Sequence, residues 1–257
     1  MDIRILKLKV TNCYLVRADR HYLLVDTGYE YEWALFCQRL QEAGVSVDQI
    51  GYVLLTHHHD DHAGLLNSIV ECNPNVRVIV SARGTKILAT GQHFHTAEAG
   101  YINRRIGFLL SLKGRFDKKW THTFPPYRER ENDVLITGDT RFEELGIPLA
   151  GSIIETPGHS PDHLSVLFDD GDCLAGDAAA NFLQWAGAKY CVIAVDDLDQ
   201  YYASWQKMID GRAQRIFPSH GKSFAIEALQ RNLGKHKKEN MVLFTRNFQA
   251  EPLNNKG

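Results

Sequence analysis

The stretch "THHHDDHAG", residues 56 to 64, constrains this chain more than any other feature, because four histidines and two aspartates fill six consecutive positions. The residues just before it, "IGYVLL", form a short apolar run that reads as a buried strand. The polar cluster therefore opens at the carboxyl end of a strand, where α/β proteins collect ligands and catalytic groups. A fold that buries the strand must also hold several imidazoles and carboxylates in one small space.

Within the cluster, His57, His59, Asp61 and His62 form the pattern H-x-H-x-D-H. Residues two apart in an extended loop point the same way, so His57 and His59 can grip one cation, and the turn that follows aims Asp61 and His62 at a neighbouring point. His58 and Asp60 then point elsewhere. Imidazole with carboxylate suits zinc, iron or manganese, and the lack of cysteine in the loop speaks against a closed structural zinc site. The plain alternative is a polar turn or a helix N-cap built on Asp60 or Asp61. One loop cannot complete two metal sites. His159 in "TPGHS", Asp177 in "LAGDAA" and His220 in "FPSHG" each follow an apolar run, and all three loops are expected to converge on the same edge.

The rest of the chain reads as α/β. "MDIRILKLKVTNCYLV" alternates like a strand, "CYLVRADRHYLLVDTG" carries two short β runs, and a helix is predicted from about Glu30 to Ala43. "AGLLNSIVECNP" continues the cluster as a helix, "VRVIVSA" returns to strand, and "LDQYYASWQKMID" is a helix before "RIFPSHG". Residues 94 to 131 break the rhythm and read as an inserted cap, within a single domain of 1 to 257. The cap holds eight Lys and Arg against four acids, in a chain of formal charge -2. "EAGYINRRIGFLLSLKG" there is a basic amphipathic helix candidate, and "LGKHKKEN" near the end reads as a solvated helix face.

The near-neutral balance argues against generic binding to nucleic acid or acidic membranes. No stretch reaches the roughly 18 apolar residues of a spanning helix, and the first residues lack a signal-peptide core, so a cytoplasmic location is expected. The five cysteines, Cys13, Cys37, Cys72, Cys173 and Cys191, are scattered without a C-x-x-C pair and read as small buried apolar residues.

Taken in order, "TNCYLV", "LLVDTG", "LLTHHHDDHAG", "TPGHSPDH", "LAGDA" and "FPSHG" resemble the metallo-β-lactamase fold superfamily of metallohydrolases. The resemblance implies an αββα sandwich of two mixed β-sheets flanked by helices. It implies two divalent ions, zinc first, with iron or manganese compatible. His57, His59 and His159 would bind one ion and Asp61, His62 and His220 the other, with Asp177 bridging. Asp26 of "VDTG" matches an aspartate that orients a metal-bound histidine. Many zinc β-lactamases carry cysteine or serine where Asp177 stands, which moves the expectation to the esterase, lactonase, thioesterase and phosphodiesterase branches. "DAAAN" lacks the tyrosine that acyl-homoserine lactonases place after their bridging aspartate.

The expected chemistry is hydrolysis of an ester-type bond in a small molecule by a metal-bound hydroxide, oriented by Asp61. Three rivals use similar residues: a phosphodiesterase or nuclease, a mononuclear iron enzyme like the sulfur dioxygenases, and a sensor that binds without turnover. In the cap, Tyr101, Phe108, Phe116, Trp120, Phe124 and Tyr127 with Arg104 and Arg105 could line a pocket for an anionic or amphipathic molecule, the plain reading being a small cap core with a wet charged face. His93, His95 and His122 read as surface or cap residues.

Overall fold

The computed structural model describes residues 1–116 and 122–244. Its first half runs through β1 (Ile3–Lys7), β2 (Asn12–Ala18), β3 (His21–Val25), α1 (Trp33–Glu42), β4 (Ile50–Leu54), α2 (Asp60–Ala63), α3 (Leu66–Cys72), β5 (Arg77–Ser81) and α4 (Thr85–Leu88). It closes on β6 (Gly100–Tyr101), α5 (Arg104–Phe116) and β7 (Val134–Ile136). The second half adds β8 (Thr140–Arg141), β9 (Gly151–Glu155), β10 (Leu164–Phe168), β11 (Asp172–Gly176), β12 (Ala194–Val195), α6 (Leu198–Asp210), β13 (Arg215–Pro218), β14 (Phe224–Ala225), α7 (Glu227–Asn232) and β15 (Val242–Leu243).

Two six-stranded sheets form, in the orders β1-β2-β3-β4-β5-β7 and β14-β13-β11-β10-β9-β8, and both mix parallel with antiparallel pairs. Alternation along each strand decides what lies between the layers. Tyr14, Val16, Leu23, Val25 and Leu54 of one sheet meet Ile153, Leu164, Val166, Leu174 and Phe217 of the other. The opposite faces are also covered, with Leu15, Leu24 and Val53 packing on Phe36, Leu40 and Ile69, and Cys173, Ala175 and Ile216 on Ile106, Tyr201, Trp205 and Met208. Strands buried on both faces explain why their sequences read as continuous apolar runs. The αββα sandwich expected from the sequence is the architecture found.

Several local expectations need correction. The helix expected straight after the histidine cluster is broken into α2 and α3 at Gly64 and Leu65. A Cβ at Gly64 would lie 2.4 Å from the Glu30 nitrogen and 2.6 Å from the Gly28 oxygen, so this turn packs backbone on backbone. "LGKHKKEN" is turn and 3-10 helix, with His236 buried against the Ala188 carbonyl at 3.1 Å. Cys13, Cys173 and Cys191 are buried as expected, whereas Cys37 is half-buried and Cys72 exposed. Trp120 of the cap lies outside the described residues. The side chain of Phe116 does too.

Gly158 fixes the loop that carries His159. It has φ +128, and an added Cβ would sit 2.2 Å from the Tyr201 nitrogen and 2.4 Å from its Cα. Its carbonyl accepts from the Asp196 and Asp197 amides at the start of α6. Gly158→Ala is expected to cost at least about 2 kcal/mol, because α6 itself must move. For a chain of this length that lowers Tm by roughly 4 to 8 °C. Gly44→Ala, where nothing lies within 4 Å, is the control for a positive φ alone. Equal Tm losses in the two variants would refute the steric account.

Candidate metal centre

Five loops meet at the carboxyl ends of strands: Asp26 follows β3, the histidine cluster follows β4, and His159, Asp177 and His220 follow β9, β11 and β13. His57 Nε2, His59 Nδ1 and His159 Nε2 form a triangle with sides of 3.0 to 3.1 Å. His62 Nε2 lies 3.5 Å from Asp61 Oδ1, and His220 Nε2 lies 3.3 Å from Asp61 Oδ2. Asp177 stands between the two groups. Its Oδ2 is 3.5 Å from His159 Nε2, while its Oδ1 is 3.3 Å from His220 Nε2 and 3.6 Å from His62 Nε2. All seven residues picked out in the sequence are thus brought together.

Their outer contacts fix which ring nitrogen carries the proton. His159 Nδ1 and His220 Nδ1 each lie 2.9 Å from a carbonyl, of Ala194 and Val10, and can only donate there. His62 Nδ1 donates to Asp26 Oδ2 at 2.8 Å. Thr56 Oγ1 is 3.0 Å from both Asp26 oxygens, so its proton goes to the carboxylate and it accepts from His57 Nδ1 at 2.9 Å. In each of these four rings Nδ1 is engaged outward and Nε2 faces inward, the atom a metal ligand offers once it carries no proton. Asp26 governs two rings at once, His62 directly and His57 through Thr56.

Electrostatics agrees. Burial, reinforced by neighbouring imidazoles, holds His57 and His59 well below the usual histidine range. Burial also lowers His159, against the pull of Asp177. Burial would lower His62 as well, but Asp61, Asp26 and Asp177 outweigh it and lift it to about 9. Burial would likewise raise Asp61 and Asp177, yet the facing histidines hold both well below the usual carboxylate range. The cluster therefore pairs three neutral imidazoles with a carboxylate-rich half, and both halves suit a divalent cation. His62 Nε2 and Asp177 Oδ1 are buried without a hydrogen-bond partner among the described residues. Buried polar atoms rarely stay unpaired, and both atoms point into the shared space, so the donor set fits bound metal.

Around the cluster lies a shell that the sequence reading did not resolve. His58 donates from Nδ1 to Asp162 at 2.8 Å and accepts the Phe94 amide on Nε2 at 3.1 Å, pointing away from the centre as expected. His163 Nε2 accepts the Asp177 amide at 3.0 Å, and Thr11 Oγ1 donates to Asp61 Oδ2 at 2.9 Å. Thr11, Asp162 and His163 all sit inside the quoted motifs, which was the available signal.

His93, His95 and His122, expected at the surface or in the cap, line a cavity beside His59. His59, His93 and His95 could group around an ion by distance, but the His59 and His93 rings stack at 4.2 Å and 23°. Lone pairs lie in the ring plane, so two stacked rings do not converge on one ion. His93 Nε2 also accepts the Asp60 amide at 2.9 Å, which caps the start of α2. Asp60 instead groups with His93 and His122, their donor atoms within 4.8 Å of one another, on the wall of the same cavity.

The cavity has a volume of about 560 Å³, with His59, Asp61, His159, Asp177 and His220 on its wall. From the cap, Tyr101 lines it, whereas Phe124 and Tyr127 are buried in the core of the first sheet. Arg104, Arg105 and Phe108 are exposed and do not line it. The expected arginine contact to an anionic substrate is therefore not made at this cavity.

Removing the Asp26 carboxylate is expected to weaken metal retention by roughly 10- to 100-fold, the usual effect of losing an outer hydrogen-bond partner of a ligand. Asp26→Asn and Thr56→Val, compared by competitive chelator titration, test this. Asp26→Asn should affect both binding steps and Thr56→Val mainly one. Unchanged titrations in both variants would remove the relay.

The metallo-beta-lactamase superfamily model matches residues 6–220. A "Beta-lactamase-like protein 2 homolog" of Drosophila melanogaster is 28% identical over 225 residues, covering 83% of this chain and 59% of that protein. The chain thus spans about three-fifths of the length of this relative. The "Probable metallo-hydrolase YqjP" of Bacillus subtilis is 28% identical over 239 residues, covering 84% and 69%. Among solved structures, metallo-beta-lactamase family protein TTHA1429 of Thermus thermophilus superposes with a TM-score of 0.64 at 20% identity, covering 91% and 78%.

Proposed function

This chain belongs to the metallo-beta-lactamase superfamily, and from that premise we propose that it is a dinuclear metal-dependent hydrolase of ester-type bonds: esters, thioesters or lactones of a small molecule. His57, His59 and His159 hold one divalent ion, and Asp61, His62 and His220 hold the other, with zinc the best match to four-coordinate imidazole and carboxylate sets. Asp177 is shared. The observation that carries the reading is the placement of its two oxygens, one toward His159 and the other toward His62 and His220.

Two divalent ions bound there supply Lewis acidity, acidifying a water and polarising a scissile carbonyl. The chain's own residues do the rest. Asp61 is kept ionised and held in place by Thr11, ready to orient that water and accept a proton. Asp26, Thr56, His163 and the Val10 and Ala194 carbonyls lock the surrounding groups before substrate arrives.

The test is metal analysis of chelator-free protein with a panel of ester, thioester, lactone, phosphodiester and β-lactam substrates. The reading expects two ions per chain, and ester-type turnover that a chelator abolishes and added zinc restores. One tightly held iron, or a phosphodiester as the preferred substrate, would overturn it in favour of the oxygenase or nuclease alternatives.

A further inference from the structure

The walls of the cavity narrow the substrate, on the hydrolase reading just given. Beyond the metal-ligand candidates its surface is polar beside His59, with Asp60, His93, His95 and His122, and apolar farther out, with Tyr101, Leu109 and Leu110 on one segment and Val192 and Ile193 on another. Among the described residues lining it, Lys9 is the single permanent cation, and its Nζ rests over the Tyr31 ring at 4.8 Å. Phe182 and Trp185 also line it while exposed to 50% and 74%, which places both at its mouth.

Those two rings are held there. Trp185 sits in a short turn between Leu183 and Gly187, both left-handed, with φ 52 and 82. The Ala186 amide donates to the Leu183 carbonyl and the Gly187 amide to the Gln184 carbonyl, both at 2.9 Å. Asn103 donates to the Gly187 carbonyl at 3.2 Å, and Gln184 accepts the Tyr190 amide at 3.2 Å. A non-glycine residue at positive φ persists only where its surroundings over-determine it, and such positions gather at ligand clamps. A fixed turn that holds a tryptophan in water at an apolar mouth gives the fold no burial of its own.

We infer that this site takes a neutral ester-type substrate with a long or bulky apolar group, and that Phe182 and Trp185 clamp this group at the cavity mouth. The pair sets specificity and takes no part in bond cleavage. Substrates with a short acyl group would reach the metal centre without touching it.

Calorimetric binding of neutral, non-hydrolysable ketones to the metal-replete protein tests the inference apart from turnover. Octan-2-one should bind at least about thirtyfold tighter than butan-2-one, since each fully buried methylene is worth on the order of fourfold. Trp185→Ala should lose about tenfold for octan-2-one and less than twofold for butan-2-one. Phe182→Ala, a second exposed position, should act in the same direction. Arg104→Ala with Arg105→Ala should leave octan-2-one affinity unchanged. Equal affinities for the two ketones, a Trp185→Ala variant that binds both like the parent, or tighter binding of octane-1-sulfonate than of octan-2-one would each overturn it. Selective ketone binding without ester hydrolysis would instead count against the reaction proposed above and leave the apolar clamp standing.

Discussion

Asp177→Ala protein is expected to retain at most one metal ion per chain after dialysis and to lose ester turnover by on the order of a thousandfold or more, since paired ions supply several kcal/mol of barrier lowering. The substitution isolates the carboxylate. His163 takes the Asp177 amide at 3.0 Å, and the Tyr201 hydroxyl donates to its carbonyl at 3.1 Å, so the backbone stays anchored when the side chain goes. What disappears is the one carboxylate among the described residues that faces both His159 and the His62 and His220 pair. His62, whose proton affinity rests on Asp61, Asp26 and Asp177, loses one of three supports and gains no other anion. Elemental analysis beside turnover decides the matter. Two ions retained in the variant would show that Asp177 does not bridge, and the dinuclear reading would fall with it.

The seven residues of the centre were legible in the sequence because metal ligation needs dense donor chemistry, and a strand-end loop can place it with spacing alone. His57 and His59 two apart, then Asp61 and His62 on a turn, are local geometry. That His159, Asp177 and His220 join them followed from each sitting after an apolar run. The outer shell is different. Thr56 bridges Asp26 to His57 only because β3 and β4 pair in parallel, which brings Val25 beside Leu54 and so sets the two loops together. Nothing in "VDTG" or "LLTH" alone states that register.

The cap shows the same limit from the other side. Its charge pattern was visible, but which face of α5 meets the cavity depends on packing. Ile106 and Leu110 turn inward to the second sheet's helical layer, and Arg104 and Arg105 are left in solvent. Those two arginines therefore carry no information about substrate charge. His93 was missed for a related reason. His93 and His95 stand two apart in "GQHFHT", as His57 and His59 do, but the place of His93 against His59 and the Asp60 amide exists only once the chain folds back.

Asp61→Asn is expected to keep most of the metal yet lower kcat by roughly 10²- to 10⁴-fold with a small change in KM, the range for losing a positioned general base. Asparagine preserves the shape and one carbonyl oxygen, so contacts with Thr11 and His220 can persist while the negative charge does not. Asp61 is held well below the usual carboxylate range by His62, His220 and Thr11 despite burial, which makes it a weak base. A weak base suffices only where the attacking water is already acidified, and this is the chemistry two divalent ions would supply. A protein nucleophile is the competing account, and the cysteines are poorly suited to it. Burial lifts the Cys173 and Cys191 thiols to about 12 and holds the Cys13 thiol well above its ordinary value. Alanine at each of the five cysteines should therefore leave most turnover intact. Pre-steady-state kinetics with mass spectrometry of the quenched enzyme separates the two accounts: an acyl group trapped on a cysteine or serine, or an Asp61→Asn enzyme with undiminished kcat, would sink the role assigned to Asp61.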